Sequence, residues 1–456
     1  MSARAIAEQV RSGARTARRV IDDCLARIEA KNERLNAFSD VLAEAARVEA
    51  DAIDRRLAAG EAAGPLAGVP FAVKNLFDVA GLVTRAGSII EAEGPPAAAD
   101  APVVARLRAA GAILVGATNM DEYAYGFTSE NTHYGPVRNP RDEKRVAGGS
   151  SGGSAAAVGA GLVPLALGSD TNGSIRVPAA FCGILGLKPT YGRLSRRGAF
   201  LFVPSLDHVG PFARSVADLA LCYDLMQGPD AADPVCRGRP VEPTHDALDD
   251  GDEIRIAVAD GYYAQSGAPE AHAAVARVAE ALSIERRVSL PEPEKARAAA
   301  FVITASEGAG QHLDNLRIRA GDFDPMTRDR FLAGALVPAA WVLRAQRFRR
   351  RYRDAVAAAF QDVDVVLAPT TPVPAPEIGQ ETMLLNGVEM PSRPNLGLFT
   401  QPLSLIGLPI VSVPVMGEGG LPLGVQVIAR PWREDHALKV ARAIERAGLT
   451  IAPERP

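Results

Sequence analysis

The chain has 456 residues, 47% hydrophobic and 23% charged, with a formal net charge of -4, the make-up of a folded globule with a large core. A balance this close to neutral, without a basic run, gives no electrostatic footprint for nucleic acid. No window approaches the ~18 uncharged apolar residues of a membrane span and no apolar leader opens the chain, so the expectation is a cytoplasmic protein with neither a nucleic-acid nor a membrane partner.

Taken in chain order, Val20, Ile21, Cys24, Leu25 and Ile28 recur at helical spacing between Ala17 and Lys31 and predict an amphipathic helix. The segment 71–81 reads as a strand, 101–110 as a helix and 112–119 as a short buried strand, an order that suggests parallel pairing. The rhythm returns with a strand at 254–260, a helix at 271–282 and a strand at 286–290. Long Arg-rich helices follow over about 326–361, then a strand that runs into a proline-rich loop at 363–376. Late strands are expected at 409–415 and 423–430, and a terminal amphipathic helix over 435–448 is capped by Gly448. With no long polar linker and no internal repeat, the pattern predicts an α/β fold: one large domain over 1–456, a mixed, mostly parallel sheet covered by helices on both faces.

Cys24, Cys182, Cys222 and Cys236 lie far apart without a C-x-x-C pair, so neither a metal knuckle nor a disulfide framework is indicated and buried thiols are expected. Cys182 as a nucleophile is disfavoured by its core-like flanks, Phe181 and Ile184.

Two glycine–serine clusters stand apart, GGSSGGSAAA at 148–157 and GSDTNGSIRVPAA at 168–180. Both run into apolar sequence, unlike a linker, and neither has phosphate-loop spacing. A serine nucleophile fits better. Glycines permit close backbone approach, and Thr171, Asn172, Gly173 and Ser174 can aim successive amides at an oxyanion. Residues 149–153 formally match G-x-S-x-G with Ser151 at the centre, but a polar stretch leads in rather than a strand, and His208 and His436 are weak partners. Lysine is the other base. The chain has six lysines among its 50 basic residues, the rest being arginine, yet Lys74 lies in an apolar, strand-like run. There it either pairs with Asp78 or Asp170, or loses its proton and serves as a general base, which arginine cannot do.

Lys74, the GGSSGGS run and the DTNGSIR run, in this order and spacing, resemble the amidase signature family, serine hydrolases of linear amides that use a Ser-cisSer-Lys triad. The signature covers about 64–215, and 216–456 resembles the family's C-terminal part. The resemblance implies Ser174 as nucleophile, Ser150 as bridging serine on a cis peptide bond, Lys74 as base, an oxyanion hole at Thr171, Asn172, Gly173 and Ser174, ammonia release through an acyl-enzyme, and no cofactor or metal. Beside these, Ser151 and Ser154 are expected to make loop hydrogen bonds rather than act directly, Asp170 to orient the 171–174 loop, and Arg176 to form a structural pair under the site rather than bind substrate. The sequence departs from the commonest pattern with KNL after the lysine and TNGS before the nucleophile. With the 120–140 segment, these departures resemble one branch of the family, and that resemblance implies a small, nitrogen-rich anionic substrate, with Tyr125 facing it and Arg328 or Arg330 binding its carboxylate. The resemblance further implies homodimerisation and a small helical accessory subunit. A family member that passes ammonia to a partner, and a non-catalytic binding protein on the same fold, are the competing readings.

Overall fold

The computed structural model describes residues 2–236, 238–251 and 253–451; residues 1 and 452–456, the ends of the expected domain span, lie outside the described residues. Among the described residues, eleven strands form one sheet. Its first block joins Pro70–Lys74 in parallel to Ile113–Thr118 on one side and Leu165–Asp170 on the other. Phe38–Val41 closes that edge antiparallel to Ile113–Thr118. A second parallel block, Val365–Pro369, Ile256–Ala259 and Arg287–Val288, lies at the opposite edge. Between the blocks, His208–Ala213, Leu185–Lys188, Ile410–Met416 and Pro422–Ala429 pair antiparallel throughout. The fold is thus α/β with a mixed sheet, as expected. Parallel pairing is confined to the two outer blocks: in the centre, helix Arg176–Cys182 crosses from Leu165–Asp170 to Leu185–Lys188, but His208–Ala213 inserts antiparallel between those two strands.

The helix Ala17–Leu35 forms where its apolar residues coincide once per turn. Thr16 caps it by accepting from the Arg19 N–H, Asn36 ends it in the left-handed region, and Val20, Ile21, Cys24, Leu25 and Ile28 are buried. The last helix, Glu434–Arg446, buries Leu438, Ala441 and Ile444, and Gly448 follows at φ +71°. Helices Gly152–Gly159 and Arg176–Cys182 pack together over the central strands, while Val216–Met226 and Glu434–Arg446 pack together against the same strands. Helices therefore cover both faces. None of the described helices is long and apolar enough to cross a membrane.

Two expectations change in detail, and a third, the Arg-rich helices, gains its break point. The strand read as 71–81 ends at Lys74, because the chain turns there: Phe77 N–H donates to the Lys74 carbonyl at 3.0 Å and Asn75 N–H to Thr118 at 3.0 Å. The Arg-rich helical stretch is two helices, Pro325–Ala335 and Ala339–Ala359, separated at Pro338, whose ring cannot continue a helix. The polar lead-in to the first glycine cluster holds a short strand, Asp142–Val146, paired with Arg138–Asn139 in a separate hairpin.

Candidate active site

The site is built at the end of the first parallel block. Pro70–Lys74 is buried along its whole length, so the lysine at its terminus is carried into the interior by the apolar residues before it. Its register with Leu165–Asp170, Val73 opposite Leu167, brings Lys74 beside Ser169. Lys74 Nζ donates to Ser150 Oγ at 2.6 Å and to Ser169 Oγ at 2.9 Å. Neither expected ion pair forms: Asp78 accepts from the Thr84 hydroxyl, and Asp170 is held by Arg176. Burial drives the Lys74 ammonium down to about 7, against the pull of Asp121, Asp207 and Asp170. This places an amine that can act as a base at neutral pH on a serine hydroxyl.

The Gly149–Ser150 peptide is cis. A Cβ at Gly149 would lie 2.1 Å from Asp121 Oδ2, so the buried Asp121 carboxylate fits only against glycine here. Asp121 accepts from the Ser129 N–H at 3.0 Å and pairs with Arg393 at 3.3 Å. The next residue, Ser151, donates its N–H to the Ser174 carbonyl at 3.3 Å, joining the two glycine–serine clusters. The Ser151 hydroxyl is tied to the Ser169 backbone, at 3.1 Å to its carbonyl, and Ser154 to the Leu167 carbonyl at 2.8 Å. Both bonds run to the strand Leu165–Asp170, and Ser154 makes its own from inside the helix Gly152–Gly159 rather than from a loop.

The 171–174 turn is clamped from several sides. Thr171 Oγ1 donates to Asp207 at 2.5 Å, and Thr400 Oγ1 donates to the Asn172 carbonyl at 2.6 Å. Asp170 Oδ2 accepts from the N–H of Ile175 at 3.2 Å. Gly173 has φ +140°, and a Cβ there would meet Thr400 Oγ1 at 2.3 Å. Among the described residues, no hydrogen bond engages the Ser174 hydroxyl or the backbone N–H groups of Thr171, Asn172, Gly173 and Ser174. A serine hydroxyl and a row of donors are thereby left open, an arrangement that can receive a carbonyl group.

Beneath the turn, Arg176 is fully buried and grips Asp170 with Nε and Nη2 at 2.9 and 3.0 Å. Its Nη1 reaches Gln426 at 2.8 Å. Burial opposes the Asp170 charge, but Arg176 prevails and holds the carboxyl at about 2. Behind Asp170 lies a second buried lysine, Lys188, with Nζ 3.4 Å from His208 Nε2, while His208 Nδ1 faces the Asp170 carbonyl at 3.1 Å. A carbonyl only accepts, so Nδ1 carries the proton. Burial holds His208 well below its ordinary pKa; it is a neutral support, not a partner of Ser151. His436 lies beside Arg433 and Asp435 on the C-terminal helix.

Ser174 opens on a small cavity that Tyr125, Thr171, Asn172, Phe202, Thr304 and Arg330 also line. Tyr123 and Ala124, at φ +50° and +60°, curl the chain before Tyr125. The Arg330 guanidinium lies 3.5 Å from the centre of the Tyr125 ring and donates to the Tyr125 carbonyl at 2.8 Å. Burial pulls its pKa below the ordinary arginine value. Arg328 pairs with its neighbour Asp329 at 2.9 Å and is not among the lining residues. Sequence reasoning missed Ser169, Asp121, Asp207 and Thr304; only Ser169, inside the second glycine cluster, carried a signal in its position.

The sequence profile of the Amidase family matches residues 19–438. The chain belongs to the amidase family. Among amidases, AtzE, a 1-carboxybiuret hydrolase subunit of Pseudomonas sp. (strain ADP), is 55% identical over 447 residues, covering 97% of this chain and 98% of that protein. A solved structure, described as a vestigial protein complex that reveals the evolutionary origins of an s-triazine catabolic enzyme, matches with a TM-score of 0.97 at 54% identity over 99% of both chains. The A-type component of the glutamyl-tRNA(Gln) amidotransferase of Methylococcus capsulatus is 40% identical over 458 residues, 93% of this chain and 92% of that one. The chain is an amidohydrolase acting on C–N bonds other than peptide bonds.

Proposed function

We propose that this amidase removes ammonia from 1-carboxybiuret or a close analogue, with Ser174 as nucleophile, Ser150 as proton bridge and Lys74 as base. The observation that carries the substrate reading is Arg330. Its guanidinium lines the cavity of Ser174, and among the described residues no carboxylate lies within salt-bridge distance of it. A buried cation without a counter-charge favours an anionic ligand, and a planar guanidinium suits a carboxylate.

In this scheme neutral Lys74 takes the Ser150 proton as Ser150 takes that of Ser174, whose Oγ bonds to the terminal carbamoyl carbon. The carbonyl oxygen gains the electron pair and meets the amides of 171–174. When the C–N bond breaks, the nitrogen leaves with the proton returned from Lys74 through Ser150, as NH3. Water then attacks the acyl-enzyme by the same relay, and the products are a dicarboxylated urea and free Ser174. The whole chain acts as one domain, since its sheet draws strands from Phe38–Val41 to Pro422–Ala429. The expected homodimer and helical accessory subunit draw support from exposed apolar Ile318, Leu336, Trp341 and Leu343.

The test is ammonia release from the purified chain, with no tRNA added, from 1-carboxybiuret, biuret, malonamate, glutamine and an aryl amide. Arg330→Met is expected to raise KM about tenfold or more for the anionic amides and to leave the neutral ones unchanged. Equal effects on both, or turnover of glutamine alone, would reject the substrate reading.

A further inference from the structure

Asn172 stands between the oxyanion turn and the cavity. Its backbone belongs to the row of donors around Ser174, and the residue is among those that line the cavity. The residue is 8% exposed. Its Nδ2 donates to Thr304 Oγ1 at 2.8 Å, which anchors the amide to the helix Pro293–Ile318. The other end, Oδ1, is buried and has no hydrogen-bond partner. Buried polar atoms are almost always paired, because an unpaired acceptor has given up its bonds to water without replacement. An acceptor held this way beside a nucleophile fits a ligand that brings the missing donor.

We infer that Asn172 Oδ1 accepts a hydrogen bond from an N–H next to the scissile carbonyl, so that the enzyme selects ureides, R–NH–CO–NH2, over amides with a methylene at that place. The backbone of residue 172 lies in the oxyanion turn, so its side chain is one residue's reach from the carbonyl under attack. The atom bonded to that carbonyl is the part of the acyl group it meets. A CH2 there leaves Oδ1 unpaired in the bound state, while an N–H satisfies it. Sites built to hydrogen-bond a substrate group reject the analogue that lacks it more strongly than apolar pockets reject a change of size. This deepens the substrate reading above and rests on it only for the choice of ureides as a class.

The experiment compares two nearly isosteric pairs, biuret with malonamide and allophanate with malonamate, by kcat/KM for ammonia release. Wild type is measured beside Asn172→Gly and Asn172→Ala, and fluorophosphonate labelling of Ser174 confirms that the turn stays competent. The ureide-to-methylene ratio is expected to fall roughly ten- to hundredfold in both variants. A ratio unchanged within about threefold in labelled protein would overturn the inference. If 1-carboxybiuret is not a substrate but the biuret preference is present and disappears with Asn172, the inference stands and the carboxybiuret reading falls.

Discussion

At the scale of single residues, the proposed chemistry turns on Lys74. Its pKa is lowered in the fold to about 7 from 10.5, so it is protonated and idle below that value and free to accept a proton above it. The expected kcat/KM profile rises tenfold per pH unit up to about pH 7 and then levels. Lys74→Met is expected to lower kcat by about a thousandfold or more and to abolish the limb; a limb that persists in that variant would assign the titration elsewhere. This lysine was legible because the chain writes nearly all its other positive charges as arginine and because its neighbours are apolar. Ser169 was not, since a serine in a glycine-rich run looks the same whether it faces solvent or an amine. Which of two arginines lines the cavity was equally hidden, because Arg328 and Arg330 sit two apart in one helix and only the packed helix decides.

At the scale of elements, apolar runs marked two strands of the first parallel block, those that became Pro70–Lys74 and Ile113–Thr118. The turn after Lys74 was not legible, because the residues that follow it are largely apolar too and carry the strand-like pattern on to 81. The helices Gly152–Gly159 and Pro293–Ile318 went unread because small residues blur the contrast between faces that marks a surface helix. The turn at 171–174 depends on Gly173, whose Cβ position is taken by Thr400. Gly173→Ala is therefore expected to displace the donors and lower kcat by about 10²–10³, measured against an unchanged thermal midpoint for the rest of the fold. His208 supports the same turn from behind. Replacement by Asn keeps a donor near the place of Nδ1 and should hold kcat within about fivefold, whereas Gln moves that donor to the place of Nε2 and should lower it further. Equal losses in the two would show that His208 only fills space.

At the scale of the whole molecule, Arg176 ties its neighbour Asp170 to distant parts of the chain, Gln426 and the Thr400 carbonyl. Breaking it with Arg176→Met leaves a charged carboxylate buried and is expected to cost about 3–5 kcal/mol in denaturant unfolding. The pH dependence follows from the lowered carboxyl, about 2 in the fold against 3.8. The fold binds this proton less readily than the unfolded chain, so the contribution is complete above about pH 4 and disappears as the pH falls through about 2. Wild type and variant should converge in stability in that acid window. The long-range pairing was the least legible level, because strands such as Leu185–Lys188 and Ile410–Met416 meet from distant parts of the sequence and no local pattern names their neighbours.

Arg176 reaches Gln426 and the Thr400 carbonyl, so the ground under Ser174 is supplied by residues 250 and 224 positions further along the chain. During synthesis, the serine-bearing turn leaves the ribosome long before these partners do. The nascent protein should therefore stay silent toward substrate until they have emerged and docked.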